Sequence, residues 1–436
     1  MKKFACIGKV AGEHPIAPVE RVLVVEDTPY LIVGGGLAGG SAVEAIRSRD
    51  REGRIMLVSD EKHLPYDRVP LSKEYLMGKI KRDSLFLQEK EFYKEQQVDM
   101  LLGRRVQSLN ADGRTASLDD GREVEFERLL FATGGRVRRL PIPGDNLPGI
   151  YYLRTLEDSD ALHAAISKSR RAVVVGGGFI GCEIAAACAQ KGLDTTIIEI
   201  GPCVLSMALD FETAQWITRY LTERGIHVLA NDAAARFMEE NGRAAGVETK
   251  TGKTVSGDFV AVGVGISPNL ELAEEAGLKV DNGIVVDERL QASHTGVYAA
   301  GDVARFYSPV FDKHLRVEHY DVAVKQGTVA GANMAGGEES FNELPYFFSF
   351  MFKLRTEVWG DLTQQDLVVR RGPLRVSDKS GFGKFYLSSR RVQAYLSLNR
   401  PSKEAQAAQK LILSRQTIDD PSVLGNESMD LDTLLK

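Results

Sequence analysis

Apolar and polar positions along the chain fall into a repeated order: short apolar strand, glycine-rich loop, one-sided helix. The first instance reads YLIV (30–33), then GGGLAGG, then SAVEAIRSR, in which Ala42, Val43, Ala45 and Ile46 recur at helical spacing. The apolar run IMLV (55–58) follows as the next strand. The same order returns at AVVV (172–175), GGGFIG, CEIAAACAQK and TTII (195–198), about 140 residues further on. This predicts a duplicated βαβ unit. After Phe341 the texture changes to strand-like segments, FGKFYLSS and RVQAYLSLN, followed by a helical EAQAAQKLILSR. A separate α+β domain of about 100 residues is expected there. One strand-like run, Val22 to Val25, precedes the first unit, and residues 1–27 carry no assignable role.

Each glycine loop fits GxGxxG: Gly34, Gly36 and Gly39 in the first, Gly176, Gly178 and Gly181 in the second. The first glycine permits the tight turn, the second lets the backbone approach a pyrophosphate, and the third lets helix and strand pack closely. Phosphates then sit at the helix N-terminus, where unpaired N–H groups point outward. Each loop lies between a strand and a helix, and each has an acid near the end of the next strand, Asp60 and Glu199. Two bound dinucleotides are expected. A carboxylate at Glu199 accepts from a ribose 2′-OH and repels a 2′-phosphate, and the following IGPCVLS supplies no cation to neutralise one. NADH is therefore expected rather than NADPH.

Composition narrows the class. The 436 residues are 43% hydrophobic and 26% charged, as in ordinary globular proteins, and 55 basic against 60 acidic side chains offer no general nucleic-acid affinity. Nothing approaches a membrane-spanning apolar stretch, and MKKFACIGKVAGEHPIAPVE lacks the apolar core of a leader, so a cytoplasmic protein is expected. The four cysteines, Cys6, Cys182, Cys188 and Cys203, form neither a CxxC pair nor a metal cluster, and no metal is expected.

These motifs in their order resemble the FAD- and NAD(P)H-dependent pyridine nucleotide oxidoreductases, within them the ferredoxin-reductase-like branch. That branch includes oxygenase-system ferredoxin reductases, monodehydroascorbate reductases and apoptosis-inducing-factor-like flavoproteins. The resemblance rests on GGGLAGG, LPYDRVPLSK (64–73), FATGG (131–135), GGGFIGCE (176–183), VGVGISPN (262–269), YAAGDVARF (298–306) and RVEHYDVAVKQG (316–327). It implies an α/β fold with two Rossmann-like domains. An FAD-binding domain (28–138 and 266–335) is split around an inserted NAD-binding domain (139–265), and an α+β domain (336–436) follows. Thiol–disulfide chemistry is excluded, because PYDRVPLSK stands where disulfide-reducing relatives carry their cysteine pair; Cys182 and Cys188 are read as packing residues.

The resemblance also assigns roles. Lys73 and Glu183 are expected to pair near flavin N5 as the catalytic groups, Glu183 also ordering the nicotinamide amide. FAD contacts are expected from Gly34, Gly36, Gly39, Asp60, Arg68, Lys73, Ala132, Thr133, Gly134, Asp302, Glu318, His319 and Tyr320. NAD contacts are expected from Gly176, Gly178, Phe179, Ile180, Gly181, Glu183, Glu199 and Gly265. Phe179 is read as a wall of the nicotinamide site, with helix–sheet core as the other reading. The helix after RVEHYD is expected to point its N-terminus at the flavin N1/O2 edge.

Three outcomes stay open for the electrons taken from NADH, in a monomer or homodimer. The leading one is a ferredoxin- or rubredoxin-type iron–sulfur protein. The others are a small radical or quinone, and an apoptosis-inducing-factor-like sensor with slow turnover. Val69 replaces the usual proline of the FAD loop, a departure from the pattern there; His319-Tyr320 and YFFSFMF (346–352), standing where tryptophans are common, together with VWGD (358–361), lean towards the monodehydroascorbate-reductase or apoptosis-inducing-factor side.

Overall fold

The computed structural model describes residues 25–375 and 381–435. Most of the run Val22 to Val25 and Cys6 therefore lie outside the described residues.

The first sheet is ordered Val98–Leu102, Ile55–Ser59, Val25–Val33, Glu123–Phe131, Thr115–Leu118, Val106–Asn110, with Val297–Ala299 also on Glu123–Phe131. Its central strands are parallel and covered on both faces, which is why they read as unbroken apolar runs such as IMLV. Among the described residues the first strand already runs from Val25, five residues before the YLIV run, because Val25 to Thr28 pair with Glu123 to Phe126 and so belong to the ladder despite their polarity. Val297–Ala299 comes from far along the chain, so the sheet is assembled from two separate segments.

Between those segments lies a second, wholly parallel sheet: Ile226–Leu229, Asp194–Ile198, Arg171–Val175, Phe259–Val262, Ile150–Tyr152. The chain crosses into and out of it through Gly135–Val137 and Ile266–Pro268, which pair antiparallel. Asn269 closes this crossing by donating its backbone N–H to the Gly134 carbonyl (3.0 Å) and its side chain to that of Thr133 (2.8 Å). The unit built on the first sheet is thus split around the second.

The third domain is an antiparallel sheet, Tyr346–Met351, Leu354–Gly360, Arg391–Leu398, Gly383–Ser388, Leu367–Arg371, backed by the helix Ser402–Ser414. In the first domain the helix Tyr320–Met334 crosses Leu37–Arg49 at very short range. A Cβ on Gly327 would stand 2.3 Å from the Ala38 carbonyl oxygen, and one on Gly331 2.5 Å from that of Ala42. Small residues here bring the two helix backbones together and fix where the N-terminus of Tyr320–Met334 points.

Candidate functional site

The two glycine loops have the same construction. Gly34 (φ +120°) and Gly176 (φ +101°) adopt a conformation that strains L side chains, and a Cβ on either would strike the Ala132 or Gly263 carbonyl. Gly39 and Gly181 press against the carbonyls of Gly34 and Gly176, where a Cβ would approach to 2.1 and 2.0 Å. The middle glycines differ. A Cβ on Gly36 meets nothing within 4 Å, and one on Gly178 only the Gly263 carbonyl at 3.9 Å. Their faces are open, at the N-termini of the helices Leu37–Arg49 and Phe179–Gln190, so each loop fits a pyrophosphate.

The acids beside these loops are not equivalent. Gly34 donates to the Val58 carbonyl as Gly176 donates to that of Ile198, so Ser59 holds the position that Glu199 holds in the second unit. Glu199 is buried and accepts from the backbone N–H of Gly177 (2.5 Å) and Gly201 (2.6 Å). Asp60 instead points to solvent and pairs with Arg105 at 3.0 Å. Its neighbour Glu61 turns inward, accepting from Tyr66 (2.5 Å) and from Arg68. The structure thus brings Glu61, not Asp60, to the other expected residues.

Arg68 also donates to the Arg154 carbonyl (2.9 Å), and Arg154 donates to Asp302 (2.8 Å) while its guanidinium stands 3.2 Å from where a Cβ on Gly134 would be. Ala132 and Thr133 lead into this turn, with Thr133 Oγ1 donating to the Asn269 carbonyl at 3.0 Å. The turn before Asp302 is held by Gln326, whose Oε1 accepts from Gly301 N–H (2.9 Å). The Gln326 Nε2 and His319 Nδ1 are both buried without a protein partner. Two unpaired polar atoms on one helix and its cap fit a polar group supplied by a ligand such as a flavin.

Lys73 and Glu183 meet, 110 residues apart in sequence. Lys73 Nζ donates to Glu183 Oε2 at 2.7 Å, and their side chains are 10% and 3% exposed. The short helical turn Val69–Ser72, which opens on the valine found in place of proline, delivers Lys73, and the helix after the second glycine loop delivers Glu183. Two further groups were not foreseen: the Ser72 hydroxyl donates to Glu183 Oε2, and that of Ser349 donates to Oε1 at 2.6 Å.

His319 caps the helix Tyr320–Met334, and its ring lies 4.7 Å from that of Phe347, which in turn meets Phe179 edge-on at 4.9 Å. Burial depresses the His319 imidazole to about 4, with Asp302 opposing weakly, so the ring is neutral at pH 7. Tyr320 and Glu318 are exposed at the rim, Glu318 accepting from Arg316 (2.7 Å). Ile180 is 43% exposed at the mouth of the second loop, and Gly265 has open space where a Cβ would stand.

Cys182, Cys188 and Cys203 are free and buried. Burial pushes the Cys188 thiol up to about 12 and the Cys182 thiol higher still, far from a reactive thiolate. Among the described residues no helix is long and apolar enough to cross a membrane.

Known proteins resemble this chain in sequence and fold. The chain is 34% identical to rhodocoxin reductase of Rhodococcus erythropolis, over 92% of this chain and 93% of that one. It is 35% identical to the anthranilate 1,2-dioxygenase system ferredoxin–NAD(+) reductase component of Burkholderia cepacia, over 93% and 99%. The crystal structure of the covalent putidaredoxin reductase–putidaredoxin complex matches with a TM-score of 0.89 and 33% identity, covering 94% of this chain and 98% of that one. The model of the pyridine nucleotide-disulphide oxidoreductase family matches residues 28–327, and with relatives alike over nearly their whole length the chain belongs to that family.

Proposed function

We infer that this chain oxidises NADH and reduces a small iron–sulfur protein of the ferredoxin or rubredoxin kind, with FAD as the carrier between them. FAD, when bound, takes up the hydride as an electron pair and releases electrons singly, which joins the two chemistries. The observation that carries the reading is the buried Lys73–Glu183 pair, which joins the two glycine-loop units, Lys73 from the first and Glu183 from the helix after the second loop. Relatives alike over most of this chain are ferredoxin–NAD(+) and rubredoxin–NAD(+) reductases, which favours a protein acceptor over a quinone or a slow sensor.

In this reading the Gly34–Gly39 loop holds the FAD pyrophosphate and Glu61 stands by its ribose, while the Gly176–Gly181 loop holds that of NADH. Glu199 accepts from the adenosine ribose and disfavours a 2′-phosphate. Lys73 places a fixed positive charge beside the reacting ring, and Glu183 keeps that ammonium in place and orients the nicotinamide carboxamide. Neutral His319 contributes no charge, so the partial positive charge of the helix N-terminus at Tyr320 acts alone on the opposite edge.

Anaerobic mixing of the FAD-loaded protein with NADH is expected to bleach the flavin absorbance, and NADPH to do so far more slowly. Adding an oxidised ferredoxin should restore the absorbance within seconds. Bleaching followed by fast reoxidation only with quinones would overturn the protein-acceptor reading.

A further inference from the structure

We propose that Ser349, on the third domain, is a positioning residue for Glu183, so that the C-terminal sheet completes the nicotinamide site. The proposal rests on the function inferred above and names a residue of that same site.

The strand Tyr346–Met351 turns alternate residues to one face, and Phe347 and Ser349 share it. The facing helix Phe179–Gln190 presents Phe179 and Glu183, one turn apart. Two residues of strand advance about 6.6 Å and one helical turn about 5.4 Å, so the two pairs match in pitch. Phe347 meets Phe179, with ring centroids 4.9 Å apart, and Ser349 Oγ donates to Glu183 Oε1 at 2.6 Å. Ser349 is 1% exposed, so its hydroxyl is spent on this bond rather than on solvent.

The distribution of donors gives Ser349 its part. Lys73 and Ser72 both donate to Oε2. Among the described residues only the Ser349 hydroxyl donates to Oε1, so it sets the rotation of the carboxylate plane about the Lys73 contact. A carboxylate held at both oxygens presents its remaining lone pairs in one direction, as an acceptor for the nicotinamide carboxamide requires. With Oε1 released, the carboxylate turns about its Oε2 anchor and that direction is lost, at the cost of a buried unpaired acceptor.

The test uses the FAD-loaded full chain and titrates NAD+ into it, alongside KM and kcat for NADH. Ser349→Ala is expected to weaken NAD+ binding about tenfold and raise KM with a smaller change in kcat. Ser349→Thr, which keeps the hydroxyl, should restore affinity. Ser349→Cys matches serine closely in shape but is a weak donor, and it should behave as the alanine variant does; it carries the test if the alanine variant does not fold. In a Glu183→Gln background the Ser349 substitutions should add little. Wild-type affinity in both the alanine and cysteine variants, or an equal loss with and without the Glu183 carboxylate, would overturn the proposal. If NADH bleaches the wild-type flavin while the Ser349 variants bind normally, this inference alone fails; if NADH never bleaches it, the underlying function fails too.

Discussion

Lys73 and Glu183 pair at 2.7 Å with almost no solvent contact, and a buried pair is costly to break from one side. Lys73→Met leaves the carboxylate with two serine hydroxyls and no countercharge. It is expected to cost about 3 kcal/mol of stability and to slow NADH-driven bleaching by about a hundredfold, read by denaturant unfolding and stopped-flow absorbance. His319 makes a prediction of a different sign. Its ring titrates near 4 in the folded state because it is buried, against an ordinary value of 6.5. The unfolded chain therefore takes up a proton that the folded one resists, so stability falls as pH drops through 6.5 and levels off below 4. Between pH 7.5 and 5 this amounts to about 2 kcal/mol at most. His319→Gln should remove that acid-side loss, seen as urea midpoints that vary less between the two pH values than those of the wild type.

At the scale of the element, the glycine loops were legible because part of their constraint is local: Gly39 and Gly181 press on the carbonyls of Gly34 and Gly176 five residues back, whereas the carbonyls that crowd Gly34 and Gly176, those of Ala132 and Gly263, come from distant strands. The geometry separates their duties. Gly36→Val adds a side chain that meets no protein atom at Cβ, so the chain should fold with near-normal stability yet lose FAD on gel filtration. Gly39→Val drives a Cβ into the Gly34 carbonyl, and soluble folded protein should fall sharply, as judged by circular dichroism and yield. The acid of the first loop was less legible. Its position near the end of the next strand pointed to Asp60, but the ladder ends at Ser59 and the backbone then turns, so Asp60 faces Arg105 in solvent while Glu61 reaches Tyr66 and Arg68. A one-residue step reverses which way a side chain points, and only the strand's register decides it. The polar start of the first strand escaped for a related reason: Val25 to Thr28 gain their partners from residues about a hundred positions away, and their own pattern carries no trace of them.

Across the whole molecule, contributions from the third domain were the hardest to foresee, since Phe347 and Ser349 sit in a run of aromatics that by itself reads as ordinary strand. What places them is the docking of the C-terminal sheet on the second domain, and that docking has an identifiable anchor. Lys384, 2% exposed on the strand Gly383–Ser388, donates to Asp210 (2.6 Å) and pairs with Glu212 (2.9 Å), both at the start of the helix Phe211–Thr222. Tyr386 donates to Asp210 as well (2.6 Å). Burial alone would raise the Asp210 carboxyl, yet the hydrogen bonds from Lys384, Tyr386 and Thr213 hold it below its usual range. Lys384→Met strips the countercharge from Asp210, while Glu212 keeps Arg370 (2.6 Å), at a cost of about 3 kcal/mol that falls on the contact between domains rather than on either core. Calorimetry should then show a separate, earlier transition for the C-terminal domain, and limited proteolysis should release it. Because Ser349 and Phe347 ride on the same sheet, NADH affinity should fall with it, although Lys384 lies outside the nucleotide site. Adding Asp210→Asn removes the stranded charge and should recover both the single transition and part of the affinity. A variant whose C-terminal domain comes loose while NADH binds as in the wild type would mean that the two nucleotide domains form the site unaided.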